Sequence, residues 1–70
     1  MTIEEILAAH DAEWQQLQDG ADLMIGTSPL MTALYEYFLE TNEMPYDVAK
    51  ARTGDPDLWI FDRLESYMSL

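Results

Sequence analysis

His10 is the only histidine of this 70-residue chain, and histidine is the side chain best suited to metal binding or general-base chemistry near neutral pH. Glu13 follows three positions later, which places a carboxylate on the same face of a helix. Carboxylate-bridged metal centres in helical bundles draw repeated Glu and Glu-x-x-His ligands from several helices, whereas here the spacing occurs once and in reverse order. We therefore interpret His10 as a packing residue and expect neither a metal nor a cofactor.

The other polar residues do not form a catalytic pattern. The serines have no plausible base and orienting partner for a nucleophilic triad. Paired carboxylates such as Glu4 with Glu5, or Asp55 with Asp57, would support acid–base chemistry only in a pocket that pushes their pKa values apart. On the first turns of helices such carboxylates are ordinary capping charges. The three glycines are too scattered for a phosphate-binding loop, so we expect no enzymatic activity.

A capping box, Thr2-Ile3-Glu4-Glu5, predicts the start of the first helix. An a/d pattern, typical of a helix that pairs with another helix, continues from this start. Its members recur at alternating spacings of four and three: Ile3, Leu7, His10, Trp14, Leu17, Ala21 and Met24. Gly20 interrupts this series at a cost of about 1 kcal/mol relative to Ala, so the helix either ends near Asp19 or continues to Ile25 with a weak point. Because the register survives it, and because Gly26 then occupies the place of a C-terminal glycine, we predict one helix from residue 3 to about residue 25.

Proline marks the start of each later helix. Ser28-Pro29 opens a second helix, residues 29–41, and Pro45 opens a short third helix, residues 45–52, that Thr53-Gly54 closes. Asp55-Pro56 opens a fourth helix, residues 56–68. The sequence therefore predicts a single all-α domain of three or four helices over residues 1–70. Its expected core consists of Leu7, Leu17, Leu34, Phe38, Phe61 and Leu64.

The fourth helix carries the candidate contact surface. Its apolar face contains Ile60, Phe61 and Leu64, and on the helical wheel Trp59 projects to nearly the opposite side with Arg63 as its neighbour. Exposed aromatic residues beside Arg are typical anchors of protein interfaces; the alternative is that Trp59 packs on the first helix or on residues 42–46 of its own chain. The residues expected at a partner or dimer interface are Trp59, Arg63, Tyr35, Leu39 and Trp14.

Charge restricts the kind of partner. Fourteen acidic residues against three basic ones give a formal net charge of −11, and residues 1–49 contain no Lys or Arg. Such a chain repels phosphate backbones and anionic lipids, so we expect no direct binding to nucleic acid or membrane.

The N-terminus does not resemble a secretory signal and no apolar run approaches the length of a membrane span, which favours the cytoplasm.

The small size of the chain suggests self-association. A domain of this length buries only about 60% of the surface that its unfolded chain exposes, and without cysteine it has no disulfides to compensate. The a/d stripe of the first helix and the wide apolar belt of the second could both be buried between two copies. We therefore expect a homodimer.

The chain resembles two known groups of proteins. In size, acidity, lack of cysteine and dense helical signals, the chain resembles the small accessory proteins of temperate bacteriophages that bind and redirect host proteins. A second set of residues is similar in order to elements of the theta subunit of bacterial DNA polymerase III: Met44-Pro45, Pro56-Asp57 and Trp59-Ile60-Phe61-Asp62-Arg63-Leu64. That resemblance implies an accessory role beside a proofreading exonuclease.

Three functions follow as hypotheses. The first is a phage or bacterial regulator, without enzymatic activity, that binds and modulates a host protein through a helical apolar surface. The second is an acidic mimic of nucleic acid that blocks a basic groove, since carboxylates can stand in for phosphates. The third is a theta-like accessory subunit of a replication exonuclease.

Overall fold

The computed structural model describes residues 1–51 and 55–68, and within these residues the protein is all-helical, without a strand. The predicted fold class is confirmed. The α-helices are α1 (Ile3–Ala9), α2 (Asp11–Gln18), α3 (Pro29–Glu40), α4 (Tyr46–Ala51) and α5 (Asp55–Leu64), followed by a 3-10 turn over Glu65–Tyr67. None of the described helices has both the length and the apolar character that a membrane crossing requires.

The start of α1 is the predicted capping box. The Thr2 hydroxyl accepts a hydrogen bond from the backbone N–H of Glu5 at 3.2 Å, and Glu5 Oε1 accepts one from the backbone N–H of Thr2 at 2.7 Å. Two main-chain donors at the helix end are thereby satisfied. The Thr2 backbone N–H is also the largest cause that lowers the pKa of Glu5 below its ordinary value, because it stabilises the ionised carboxylate.

The predicted continuation of the first helix to residue 25 is wrong. The helix is divided at His10 (φ −121°, ψ 44°), and α2 ends at Gln18. Gly20 has a φ of +97°, and the N–H groups of Gly20 and Ala21 donate to the carbonyls of Leu17 (3.0 Å) and Gln16 (2.9 Å). This pair of bonds is a Schellman motif, so Gly20 closes the helix in the role that the sequence assigned to Gly26.

The central helix α3 has the predicted start, because Ser28 caps it through a bond from the Met31 N–H to the Ser28 hydroxyl at 3.2 Å. At its other end Asn42, with a φ of +57°, takes the left-handed position. The Glu43 N–H then donates to the carbonyl of Phe38 at 3.1 Å, which completes a second Schellman motif. Helix α3 contacts both α1 and α5.

The core lies around α3. The buried apolar side chains are Ile6, Leu7, Leu17, Leu30, Met31, Leu34, Phe38, Met44, Ile60 and Leu64. Five of the six predicted core residues are among them, whereas Phe61 is only half-buried. The buried face of α5 is Pro56, Ile60 and Leu64, and Phe61 lies about 100° from its centre.

The last two helices differ from the prediction mainly at their ends. Helix α5 gives way after Leu64 to the 3-10 turn, earlier than the predicted residue 68. In this turn the Ser66 hydroxyl donates to the carbonyl of Arg63 at 3.1 Å, a local side-chain bond of the kind that competes with α-helix. The predicted closure of the third helix by Thr53-Gly54 falls outside the described residues.

Candidate functional site

Trp59 packs against its own chain. Its ring centroid lies 5.0 Å from that of the buried Phe38, at an interplanar angle of 85°, and the side chain is half-buried. The prediction that Trp59 points away from the core is wrong, because the buried face of α5 is centred near Ile60 and Trp59 flanks it. Edge-to-face pairs of this kind stabilise a fold beyond the area that they bury.

Arg63 lies over Trp59, as the one-turn spacing predicts. The guanidinium carbon is 4.9 Å from the centre of the Trp59 ring, and Nη2 is 3.8 Å from Oε1 of Glu43. The Arg63 side chain is half exposed, so the ion pair is weakened by water. Arg63 is therefore already engaged by an indole and a carboxylate of the same chain.

The other predicted interface residues differ in their exposure. The Tyr35 hydroxyl donates to the carbonyl of Ala49 at 2.8 Å, which joins α3 to α4. Leu39 is 40% exposed near the end of α3, and Trp14 on α2 is half-buried. Of the five residues selected from the sequence, Leu39 and Arg63 are exposed and the three aromatic residues are half-buried.

The outward side chain of α5 is Leu58. It lies about 160° around the helix from Ile60 and is 65% exposed. Leu23, Leu58 and Phe61, together with Asp22 and Asp57, line a groove of about 170 Å³, called here the Leu58 groove. The sequence prediction missed Leu58 because it centred the apolar face on both Ile60 and Phe61, which put Trp59 on the outer side. With Ile60 at the centre, the helical period places Leu58 there.

Two carboxylates join separate elements of the fold. Asp57 Oδ1 accepts a bond from the backbone N–H of Ile25 at 2.8 Å, which ties the segment between α2 and α3 to the start of α5. Glu13 Oε1 accepts one from the backbone N–H of Leu30 at 2.9 Å, so α2 caps the N-terminus of α3. Both side chains are half-buried, and both have a structural role.

The remaining acidic side chains are exposed: Glu4, Glu5, Asp11, Asp19, Asp22, Glu36, Glu40, Glu43, Asp47, Asp55, Asp62 and Glu65. Of the described cations, Lys50 lies over the Tyr46 ring at 4.9 Å, and Arg63 makes the only ion pair found among the described residues. Most of these carboxylates therefore face water without a positive partner from the described part of the chain.

His10 and Glu13 both lie where helices meet. His10 lies at the junction of α1 and α2 and is half-buried, while Glu13 is used in the cap of α3. Across residues 1–51 and 55–68, no three His, Asp or Glu side chains are grouped to hold a metal ion.

Comparison of the chain with protein-family models, with curated proteins and with solved structures gave no match. The resemblances to small phage accessory proteins and to the theta subunit therefore stay predictions from the sequence. The surface features that bear on function are the Leu58 groove and the exposed carboxylates.

Proposed function

We propose that this protein is a regulator without enzymatic activity, from a phage or a bacterium, that binds a host protein through the Leu58 groove. The observation that supports this proposal is the exposure of Leu58 beside Leu23 and Phe61 in a concave part of the surface. A single exposed leucine is common, but a group of apolar side chains rimmed by polar ones marks an interaction site.

The rim of the groove defines the chemistry of the partner. Asp22 and Asp57 border the apolar side chains, and the whole chain carries a net charge of −11. Complementary charges steer association and select partners, while the desolvated apolar contact supplies most of the affinity. The partner segment is therefore an apolar side chain flanked by Lys or Arg.

The experiment is quantitative capture from a bacterial lysate with matched leucine variants. Leu58→Ser removes the apolar side chain from the groove, whereas Leu39→Ser removes another exposed leucine from α3. Partner recovery should fall about tenfold or more with Leu58→Ser and stay within about twofold with Leu39→Ser, as expected for an anchor and a neutral contact. Equal recovery with both variants would remove the groove from the interface.

A second candidate function is supported by the exposed carboxylates, namely mimicry of nucleic acid on a basic groove. In that case duplex DNA should compete for the captured partner, and binding should weaken steeply as NaCl rises. Leu58→Ser should then have no effect. The regulator hypothesis expects the reverse pattern, with loss of binding in Leu58→Ser and no competition by DNA.

A further inference from the structure

A second, shallow site lies along α1 and α2. Its volume is about 320 Å³, and the residues that line this acidic notch are Glu4, Leu7, Ala8, Asp11, Trp14 and Tyr67. Positions 4, 7, 8, 11 and 14 follow the three- and four-residue spacing of a single helical face, which continues across the break at His10. Tyr67 comes from the 3-10 turn after α5.

The notch combines aromatic rings with carboxylates. Trp14 is half-buried and Tyr67 is 37% exposed. Both rings are therefore partly covered by the protein and still present some surface to a ligand. Glu4 and Asp11 are exposed and carry negative charge one on each side of Ala8 in the sequence. Ring faces attract cations, and carboxylates accept charge-assisted hydrogen bonds from them.

The small side chain of Ala8 leaves room at the centre of this face. Ala8 is exposed, and a larger residue there would extend into the space between the carboxylates. None of the described residues that line the notch is basic, and residues 1–49 contain no Lys or Arg at all. The charge of the notch is therefore complementary to a cation from another molecule.

A contact elsewhere in this protein shows a cation that an indole and a carboxylate bind together. Outside the residues that line the notch, the Arg63 guanidinium lies 4.9 Å from the Trp59 ring and 3.8 Å from a Glu43 oxygen. The acidic notch offers the same two partners, an indole and a carboxylate, with a second carboxylate and a phenol ring in addition.

We propose that the acidic notch binds an arginine side chain of a basic protein segment. Arginine fits better than lysine because its planar guanidinium stacks on an indole while its N–H groups reach carboxylates at the edge. A lysine ammonium is a compact, strongly hydrated charge that gains less from the ring. This site is separate from the Leu58 groove and does not depend on the function proposed for that groove.

The test is an NMR titration of the full chain with the peptide acetyl-Gly-Arg-Gly-amide at low ionic strength. The indole N–H signal of Trp14 should move and saturate, while that of Trp59, which is covered by Phe38 and Arg63, should stay in place. The matched probe carries citrulline, which has the shape of arginine without the charge. It should bind about tenfold more weakly or worse, because a neutral group loses the cation–π and carboxylate contacts.

Protein variants separate the notch from general electrostatics. Ala8→Leu fills the notch without changing charge, and Ala12→Leu adds the same side chain at an exposed position of α2 outside the lining. Glu4→Gln with Asp11→Asn removes two charges from the notch, and Glu36→Gln with Asp47→Asn removes two exposed charges elsewhere. Each notch variant should weaken arginine binding about tenfold, and each control should change it by less than about threefold.

Circular dichroism establishes that each variant is folded, and Ala8→Leu is the safest of them because a surface leucine is a good helix former. The proposal is overturned if citrulline binds as well as arginine, if the Trp59 signal moves as far as that of Trp14, or if the control pair loses as much binding as the notch pair. Leu58→Ser should bind the peptide normally, so a failure of the notch and a failure of the Leu58 groove give different results.

Discussion

Three carboxylates, those of Glu5, Glu13 and Asp57, stabilise the fold by accepting hydrogen bonds from main-chain N–H groups. The bond to Glu5 is local and follows from a motif that can be recognised in the sequence. The bonds to Glu13 and Asp57 join residues 17 and 32 positions apart, so they depend on how the helices pack. The sequence therefore revealed the first role and gave no indication of the other two.

Glu5 should make stability depend on pH. Its pKa is lowered in the folded protein, chiefly by the Thr2 backbone N–H, so the ionised form favours folding. This contribution is fully present above the ordinary carboxyl pKa and is lost as the pH falls through the lowered folded value. Carboxyl titration by NMR should give a lower midpoint for Glu5 in the folded protein than in urea. Equal midpoints would contradict the capping role of the charge.

Gly20 is required for its backbone conformation, not for lack of space. A Cβ atom there would meet nothing within 4 Å, but the φ of +97° is unfavourable for residues with a side chain. Gly20→Ala should therefore lower the free energy of unfolding by about 1 kcal/mol. Urea denaturation measures this, and Gly20→Asn should cost less because Asn tolerates positive φ. No loss in the Ala variant would mean that the turn relaxes to another closure.

At the scale of the elements, helix starts were predicted better than helix ends. Caps such as Ser28-Pro29 act within a few residues, so the sequence alone is sufficient to locate them. The end of α2 was missed because Gly20 and Gly26 both have positive φ, and only the hydrogen bonds of the folded chain show that Gly20 closes the helix. The buried face of α5 was predicted in the wrong orientation for a similar reason, since the contacts of α5 with α3 place Ile60 at its centre.

The tertiary cap on α3 gives a prediction at this scale. Pro29 has no N–H, Met31 donates to Ser28, and Leu30 donates to Glu13, so Glu13→Ala leaves the Leu30 N–H without its partner. We expect the free energy of unfolding to fall by about 1–2 kcal/mol. Glu13→Gln keeps an acceptor and should lose less, mainly the interaction of the charge with the helix dipole.

Urea denaturation and hydrogen exchange at the Leu30 amide measure the effect of the cap. Glu36→Ala is the control, since Glu36 is exposed on the same helix. Its cost should stay within about 0.5 kcal/mol, as for most surface substitutions. If Glu13→Ala costs no more than Glu36→Ala, the bond between α2 and α3 does not stabilise the protein.

For the whole molecule, the homodimer stays a prediction. The reason for expecting it was a thin core, yet Leu7, Leu17 and Leu34 are buried within a single chain. Light scattering tests it directly, with a mass near twice 8.1 kDa expected at micromolar concentration. The dimer fraction should rise with NaCl, because each copy carries a formal charge of −11 and salt screens their repulsion. The mass of a single chain at every salt concentration would contradict it.

Self-repulsion should also affect the stability of one chain. The molecule is 29 Å across its longest axis, comparable to the Debye length of about 30 Å at 0.01 M salt and far larger than the value of about 3 Å at 1 M. At low salt, all of the exposed carboxylates therefore repel one another, while at high salt only close neighbours do. The melting temperature should rise with NaCl by about 4–8 °C, the shift that about 1 kcal/mol produces in a domain of this size.

Glu36 and Glu40 provide the matched variant for this effect. Both are exposed on α3 at a spacing of four, where like charges destabilise a helix and opposite charges stabilise it. Glu40→Lys reverses one charge of the pair and reduces the size of the net negative charge to about −9. It should therefore raise the melting temperature at low salt and reduce the further rise that NaCl produces. Glu40→Gln should have an intermediate effect. If all three proteins respond equally to NaCl, salt acts through burial of apolar surface and not through the carboxylates.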